Sequence, residues 1–351
     1  MAWQAILTPE NSFRFSDPAV TAPPCGSLVV ETRMPVTKRP LPLLRFRRGG
    51  SNPFHLALMA VPGGGLTLVV ERDGALSHCA VNHSEAGRTD VLRITYSWDH
   101  RSGRARLAVE RSDQDAVIMQ PVAGPVRPMG NELAALVAPG AELMLGPDLL
   151  FLALSDRIEP LGPMPTLHPD TPIATPRGFR PVSELRRGDT VLTDQNDVVP
   201  VLYRVARQVP AFGSFAPVRV RAPFFGLRDD LHIAPAQHLV LSGSDVEYLF
   251  GTESVLVPVR HLVGGSSTLR QPHRGPLATY MQLLLPGHEV LNAAGAAVES
   301  LYVGRLRRKK AELNASLLAG LDRATLPEHG RSVHPVLRAY DALVLADRRA
   351  A

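Results

Sequence analysis

Leu92, Ile94, Tyr96 and Trp98 alternate with Arg93, Thr95, Ser97 and Asp99. A side-chain period of two belongs to a strand with one buried face, and a helix does not put such residues on one side. The turn residues His100–Gly103 follow, and then Ala105, Leu107 and Val109 alternate with Arg104, Arg106, Ala108 and Glu110. Two alternating runs across a short glycine-containing loop predict a β-hairpin. SLVVETRMP, PLLRFRRG, FHLALMAVP and GLTLVVERDG precede it at close spacing between turn residues. Many short strands in this rhythm predict an antiparallel β-sandwich over residues 1–165, with one helix-like insert at Asn131–Ala138.

Composition bounds the rest. Of 351 residues, 45% are apolar and 20% charged, a balance that excludes wholesale disorder and fits two or three domains. No apolar run approaches the roughly 18 residues of a membrane helix. The opening MAWQAILTPENSFRF has no basic region ahead of an apolar core. The expectation is therefore no signal peptide, and a cytoplasmic or non-classically secreted protein. The net charge of +5 rests on three lysines and 35 arginines spread along the chain. Its one dense cluster, Arg305–Lys310, is too short to carry nucleic-acid binding. Cys25 and Cys79 form no metal-binding spacing. No cofactor, metal, nucleic acid or membrane span is expected.

A proline-rich joint, EPLGPMPTLHPDTP, holds five prolines in the fourteen residues Glu159–Pro172 and predicts a stiff, extended connector. Beyond it the β rhythm returns until about Gly304. The period then changes. Leu313, Leu317, Leu318 and Leu321 fit one helical face, and Val336, Leu337, Tyr340, Leu343 and Val344 another. Helices are expected near Lys310–Leu321 and His334–Ala346. The predicted fold is all-β, with a sandwich at 1–165, a second β domain at 166–304 and a helical extension at 305–351.

The second β region holds the most specific pattern. In TLHPDTPIATPRGFRPVSELRRGDTVLTDQNDVVPV, the residues Thr171, Ile173, Thr175, Gly178, Val182, Leu185, Gly188, Asp189 and Val191 resemble the opening of a Hint domain, the hedgehog/intein self-processing module. DLHIAPAQHLVLSG, VEYLFGTESVLVPVRHLV and LLPGHEVLNAAGAAVESLYVG are similar to later strands of bacterial Hint domains. The resemblance covers Thr166 to Gly304. It implies a compact β module whose first residue attacks the preceding peptide bond, with a histidine donating a proton to the departing nitrogen.

The resemblance places Thr166 where the family has its cysteine nucleophile, and Asp170 where it has glycine. His238 takes the place of the family's Thr-x-x-His histidine, with Pro235 in place of the threonine. A thiol ionises near pKa 8.5, whereas an alcohol needs strong help from a base. No terminal splicing asparagine is evident; Asn292 lies within HEVLNAAG. Thr166 is thus either a linker threonine or a slow nucleophile, and His238 either a strand histidine or a proton donor. The implied function is a Hint-domain protein with inactive or very slow self-processing and a structural or binding role. The alternatives are active cleavage before Thr166, and a sandwich that binds a glycan or protein. The last follows from a similarity, over some twenty residues around ITYSWDHRSGRARLAVE, to concanavalin-like or laminin-G-like jelly rolls.

Other clusters read more plainly. His168 is a local base or a surface-loop residue. Asp170, Asp189, Asp229 and Asp230 include a Gly-Asp turn at Asp189. In SHCAVNH, the adjacent His78 and Cys79 point to opposite faces of a strand, which argues against joint ligation with His83. Gly63–Gly65 reads as a turn between strands.

Overall fold

The computed structural model describes residues 2–19, 23–34, 38–83, 91–111, 116–138, 140, 142–270 and 275–350. It divides into two compact units, Met1–Gly162 and Pro163–Ala351. Among the described residues every pairing between strands is antiparallel. No helix of the described residues is long and apolar enough to cross a membrane.

The first unit runs β1 (Trp3–Leu7), β2 (Ser12–Arg14), β3 (Cys25–Arg33), β4 (Leu41–Arg48), β5 (Phe54–Val61), β6 (Gly65–Arg72), β7 (Ala75–Asn82), β8 (Val91–Asp99), β9 (Arg104–Arg111) and β10 (Val117–Pro121). A short helix α1 (Gly130–Leu136), β11 (Leu143–Leu145) and β12 (Leu149–Ser155) complete it. One sheet has the order β10-β9-β8-β3-β12-β1-β2 and the other β11-β4-β5-β6-β7. Leu28 and Val30 from the first share a core with Leu56, Leu58, Leu66 and Leu68 from the second. Full burial of such a side chain contributes about 1.5–3 kcal/mol, which sets the two sheets face to face.

The alternation in β8 puts Leu92, Ile94, Tyr96 and Trp98 in this core. Thr95 and Ser97, expected to face solvent, are buried too. Residues 155–159 account for Ser97: its hydroxyl meets that of Ser27 at 2.9 Å, which donates to the Arg157 carbonyl and accepts from the Glu159 amide. Gly26 is required here, because a β-carbon would stand 2.6 Å from the Trp98 ring. Gly63 and Gly64, both at positive φ, make the β5–β6 turn. In β7, Cys79 is buried and His78 exposed, on opposite faces as the alternation requires.

The second unit runs β13 (Pro172–Thr175), β14 (Gly178–Pro181), β15 (Thr190–Leu192), β16 (Val198–Pro200), β17 (Tyr203–Pro210), β18 (Val218–Val220), β19 (Leu231–Ile233) and β20 (His238–Ser242). Then come α2 (Ser244–Phe250), β21 (Ser254–Pro258), β22 (Thr268–Arg270), β23 (Leu277–Leu284), β24 (Val290–Ala293), β25 (Ala296–Glu299), α3 (Lys310–Ala315) and α4 (Ala339–Ala350). The largest sheet has the order β14-β13-β24-β25-β20-β21. The chain is thus mostly antiparallel sheet with few, short helices, the all-β class its alternation predicts. Asp189 Oδ2 accepts from the Arg186 amide at 2.8 Å, which is the Gly-Asp turn.

Three local features depart from the expectations. The stretch VEYLF forms helix α2, because Gly251 at φ +65° caps it by donating its amide to the Glu247 carbonyl. The first C-terminal helix stops at Ala315 instead of Leu321: Ser316 is extended, and its hydroxyl donates to the Leu313 carbonyl at 2.8 Å. The second begins at Ala339 instead of His334. Pro335 biases the residue before it away from helix, and residues 335–337 pair with Leu256. Leu306 is buried, and Arg307 and Arg308 pair with Glu328.

Candidate functional site

The segment after the prolines enters the body of the second unit. Leu167 exchanges backbone hydrogen bonds with Met281 of β23 at 3.0 and 2.8 Å. On the other side the His168 amide donates to the His232 carbonyl, and the Thr166 carbonyl accepts from the Ala234 amide at 2.7 Å. The chain is held as a strand between β19 and β23. It leaves Thr166 only 7% exposed and Leu167 fully buried.

The Thr166 side chain meets two amides. Its hydroxyl donates to Gln237 Oε1 at 2.5 Å and accepts from Gln282 Nε2 at 3.3 Å. Gln282 Nε2 also donates to Gln237 Oε1 at 3.1 Å and to the Glu299 carbonyl at 3.1 Å. Gln237 Nε2 donates to the His238 carbonyl at 2.9 Å. Gln237 and Gln282 are 0% and 2% exposed. This network satisfies the hydroxyl, but an amide oxygen has no basicity with which to take its proton at neutral pH.

The His238 side chain meets a different partner. Pro235 interrupts the run between His232 and His238, so β19 and β20 are separate strands. His238 opens β20 beside the end of β25, and its Nδ1 lies 2.6 Å from Glu299 Oε1. The other oxygen, Oε2, lies 3.2 Å from His288 Nε2. Burial alone would raise the Glu299 pKa; the attraction of His238 and the hydrogen bonds of His238 and His288 outweigh it and hold the carboxyl below the usual range. His288 accepts the Val333 amide at Nδ1, at 3.1 Å, and stacks on His329 with ring centres 5.8 Å apart.

The sequence resemblance singles out Thr166 and His238, whose side chains meet different partners, Gln237 and Glu299. Among the described residues no hydrogen bond joins them. Gln237, Gln282, Glu299 and His288 went unnoticed. A signal for Gln237 exists, since neighbours at a strand's start face opposite ways and only one of positions 237 and 238 can face Thr166. The remaining candidates fall away from this site. His168 is a half-exposed residue against the His232 ring, with its Nδ1 accepting from the Asp170 amide at 3.3 Å. Asp230 pairs with Arg219 and accepts from the Ala222 amide at 2.9 Å. Asn292 Oδ1 accepts from Gly295 in a turn. No group of His, Cys, Asp and Glu able to hold a metal occurs among the described residues.

A family profile described as "Hint domain" matches residues 165–305. No curated protein matches the chain. Among solved structures, the gp41-1 intein is 13% identical at a TM-score of 0.26, covering 38% of this chain and 98% of its own. The bacterial intein-like domain from Clostridium thermocellum is 11% identical at 0.28, covering 39% and 99%. The binding domain of botulinum neurotoxin DC, solved with SialylT, is 7% identical at 0.27, covering 90% and 85%. At these scores the structural likenesses carry no argument, and the family rests on the profile match and on the ordered motif residues from Thr171 to Val191. The chain is a Hint-domain protein, with its Hint domain at residues 165–305 and a β-sandwich before it in sequence.

Proposed function

We propose that this Hint domain keeps the fold of a self-processing module without the chemistry, and serves as a structural or binding element. The observation that carries the reading is the partner of Thr166. Its hydroxyl proton is directed at Gln237 Oε1, and the Hint histidine, His238, is directed at Glu299. An alcohol that lacks a base, where the family has a thiol, is a poor nucleophile. Loss of general-base assistance typically costs about 10²–10⁴ in rate. The test is a Thr166→Cys variant beside wild type, incubated with thiol. Cleavage before residue 166 in the variant alone puts the deficit in the nucleophile. An inert variant puts it in the surrounding acceptors. Cleavage by wild type that Thr166→Ala abolishes overturns the reading and makes Thr166 a nucleophile.

A second reading gives the sandwich a ligand. A cleft of about 310 Å³ is lined by Arg47, Arg48, His55, Glu71 and Asp73 among others. His55 Nε2 is buried there with no hydrogen-bond partner among the described residues. Donors and acceptors side by side suit a polyhydroxylated molecule such as a glycan. Glycan-array binding by the full chain, lost in Arg47→Ala, supports this role; no bound glycan removes it.

A further inference from the structure

The segment after α3 returns to the Hint body through two imidazoles that hold each other's chains. His329 belongs to the returning segment, and its Nδ1 accepts the Val303 amide of the body at 3.3 Å. His288 belongs to the body, and its Nδ1 accepts the Val333 amide of the returning segment at 3.1 Å. Both rings therefore carry their single proton on Nε2. That of His329 faces the Leu285 carbonyl at 3.3 Å, and that of His288 faces Glu299 Oε2. The rings stack with 22° between their planes, and Tyr302 lies against both. Both histidines are buried.

We propose that His288 and His329 form a reciprocal, acid-sensitive latch that docks residues 329–333 on the Hint body at neutral pH and releases them on acidification. An added proton can enter only at Nδ1, since Nε2 is already protonated. At His329 it turns the acceptor into a donor aimed at the Val303 N–H, so that the hydrogen bond holding the two chains is lost. Burial pushes His329 down to about 4 against its ordinary 6.5, with the Leu285 carbonyl opposing and the His288 charge adding to it. For a histidine whose folded pKa is depressed, the docked state keeps its full advantage above pH 6.5. That advantage falls as pH drops from 6.5 toward 4.

Other charged groups among the described residues lie beside the latch. Glu299 faces His288 from β25, with His238 on its far oxygen. His334 follows in the same segment and is lowered, first by burial and also by His288, with Asp194 and Glu253 opposing. Glu328 precedes it, held below its usual range by its hydrogen bond to Arg308. Both carboxylates, Glu299 and Glu328, are held below their usual range.

The test is hydrogen exchange of the full chain between pH 7.5 and 4.5, corrected for intrinsic rates. It compares wild type with His288→Asn/His329→Asn. Asparagine Oδ1 occupies the place of Nδ1 and accepts the same N–H, but it takes no proton. Wild type should show the Val303 and Val333 amides losing protection by a factor of tens across this range, while the double variant stays flat. Unchanged wild-type protection, or an equal loss in the variant, overturns the latch. If the variant is already undocked at neutral pH, an NMR titration of wild type decides. A His329 ring that titrates together with loss of Val333 protection supports the latch; a ring that titrates while Val333 stays protected overturns it.

Discussion

The Thr166 hydroxyl donates to Gln237 Oε1 at 2.5 Å, while the next residue, His238, holds its Nδ1 2.6 Å from Glu299 Oε1. Two side chains adjacent in the sequence thus serve different groups. The two positions that the Hint resemblance singles out, Thr166 and His238, each face a third residue.

The Thr166–Gln237–Gln282 network should be a stabilising element in its own right. Gln237→Ala leaves the Thr166 hydroxyl and the Gln282 amide buried with fewer partners, at about 1–3 kcal/mol. Urea unfolding should show this as a lower midpoint. A midpoint equal to wild type would mean that water replaces the glutamine without cost.

Glu299 should stabilise the fold with a definite pH dependence. Its folded pKa lies below the ordinary 4.5, so its contribution is complete above 4.5 and fades as pH falls through the lowered value. Glu299→Gln should cost about 1–3 kcal/mol at neutral pH, and the difference from wild type should shrink well below pH 4.5. Stability curves of both proteins against pH check this. A difference that does not change with pH would remove the ionic role.

The extension beyond Gly304 should be inseparable from the Hint body. Leu306, Leu313, Leu318 and Leu326 share a core with Val205, Leu284, Leu301 and Val303. Leu337, Ala342 and Leu345 join the main Hint core. Helices this short are marginal alone, so their docking is tertiary. Truncation after Gly304 should lower the melting temperature by well over about 4 °C, as loss of several buried leucines requires. An unchanged melting temperature would contradict the docking.

Much of the fold was legible because it is written in alternation. The β8–β9 hairpin pairs Tyr96 with Leu107 as the run Leu92–Trp98 implies, and the Gly-Asp turn sits at Asp189. Where reading failed, a local signal was overruled. The leucines to Leu321 continue a helical period, but Ser316 ends the helix by hydrogen-bonding back to Leu313. The candidate site was legible only as positions to consider. Motif spacing singles out Thr166 and His238, but spacing carries no orientation. Gln282 and Glu299 reach the site only through strand pairing between segments far apart in the chain, and no local pattern marks them.

The central claim, that Thr166 sits in the Hint position without cleaving the chain, is tested most directly by the intact mass of freshly purified wild-type protein kept for days with thiol. The account predicts one species at 38.0 kDa. Two fragments, one ending at Pro165 and one beginning at Thr166, would contradict it.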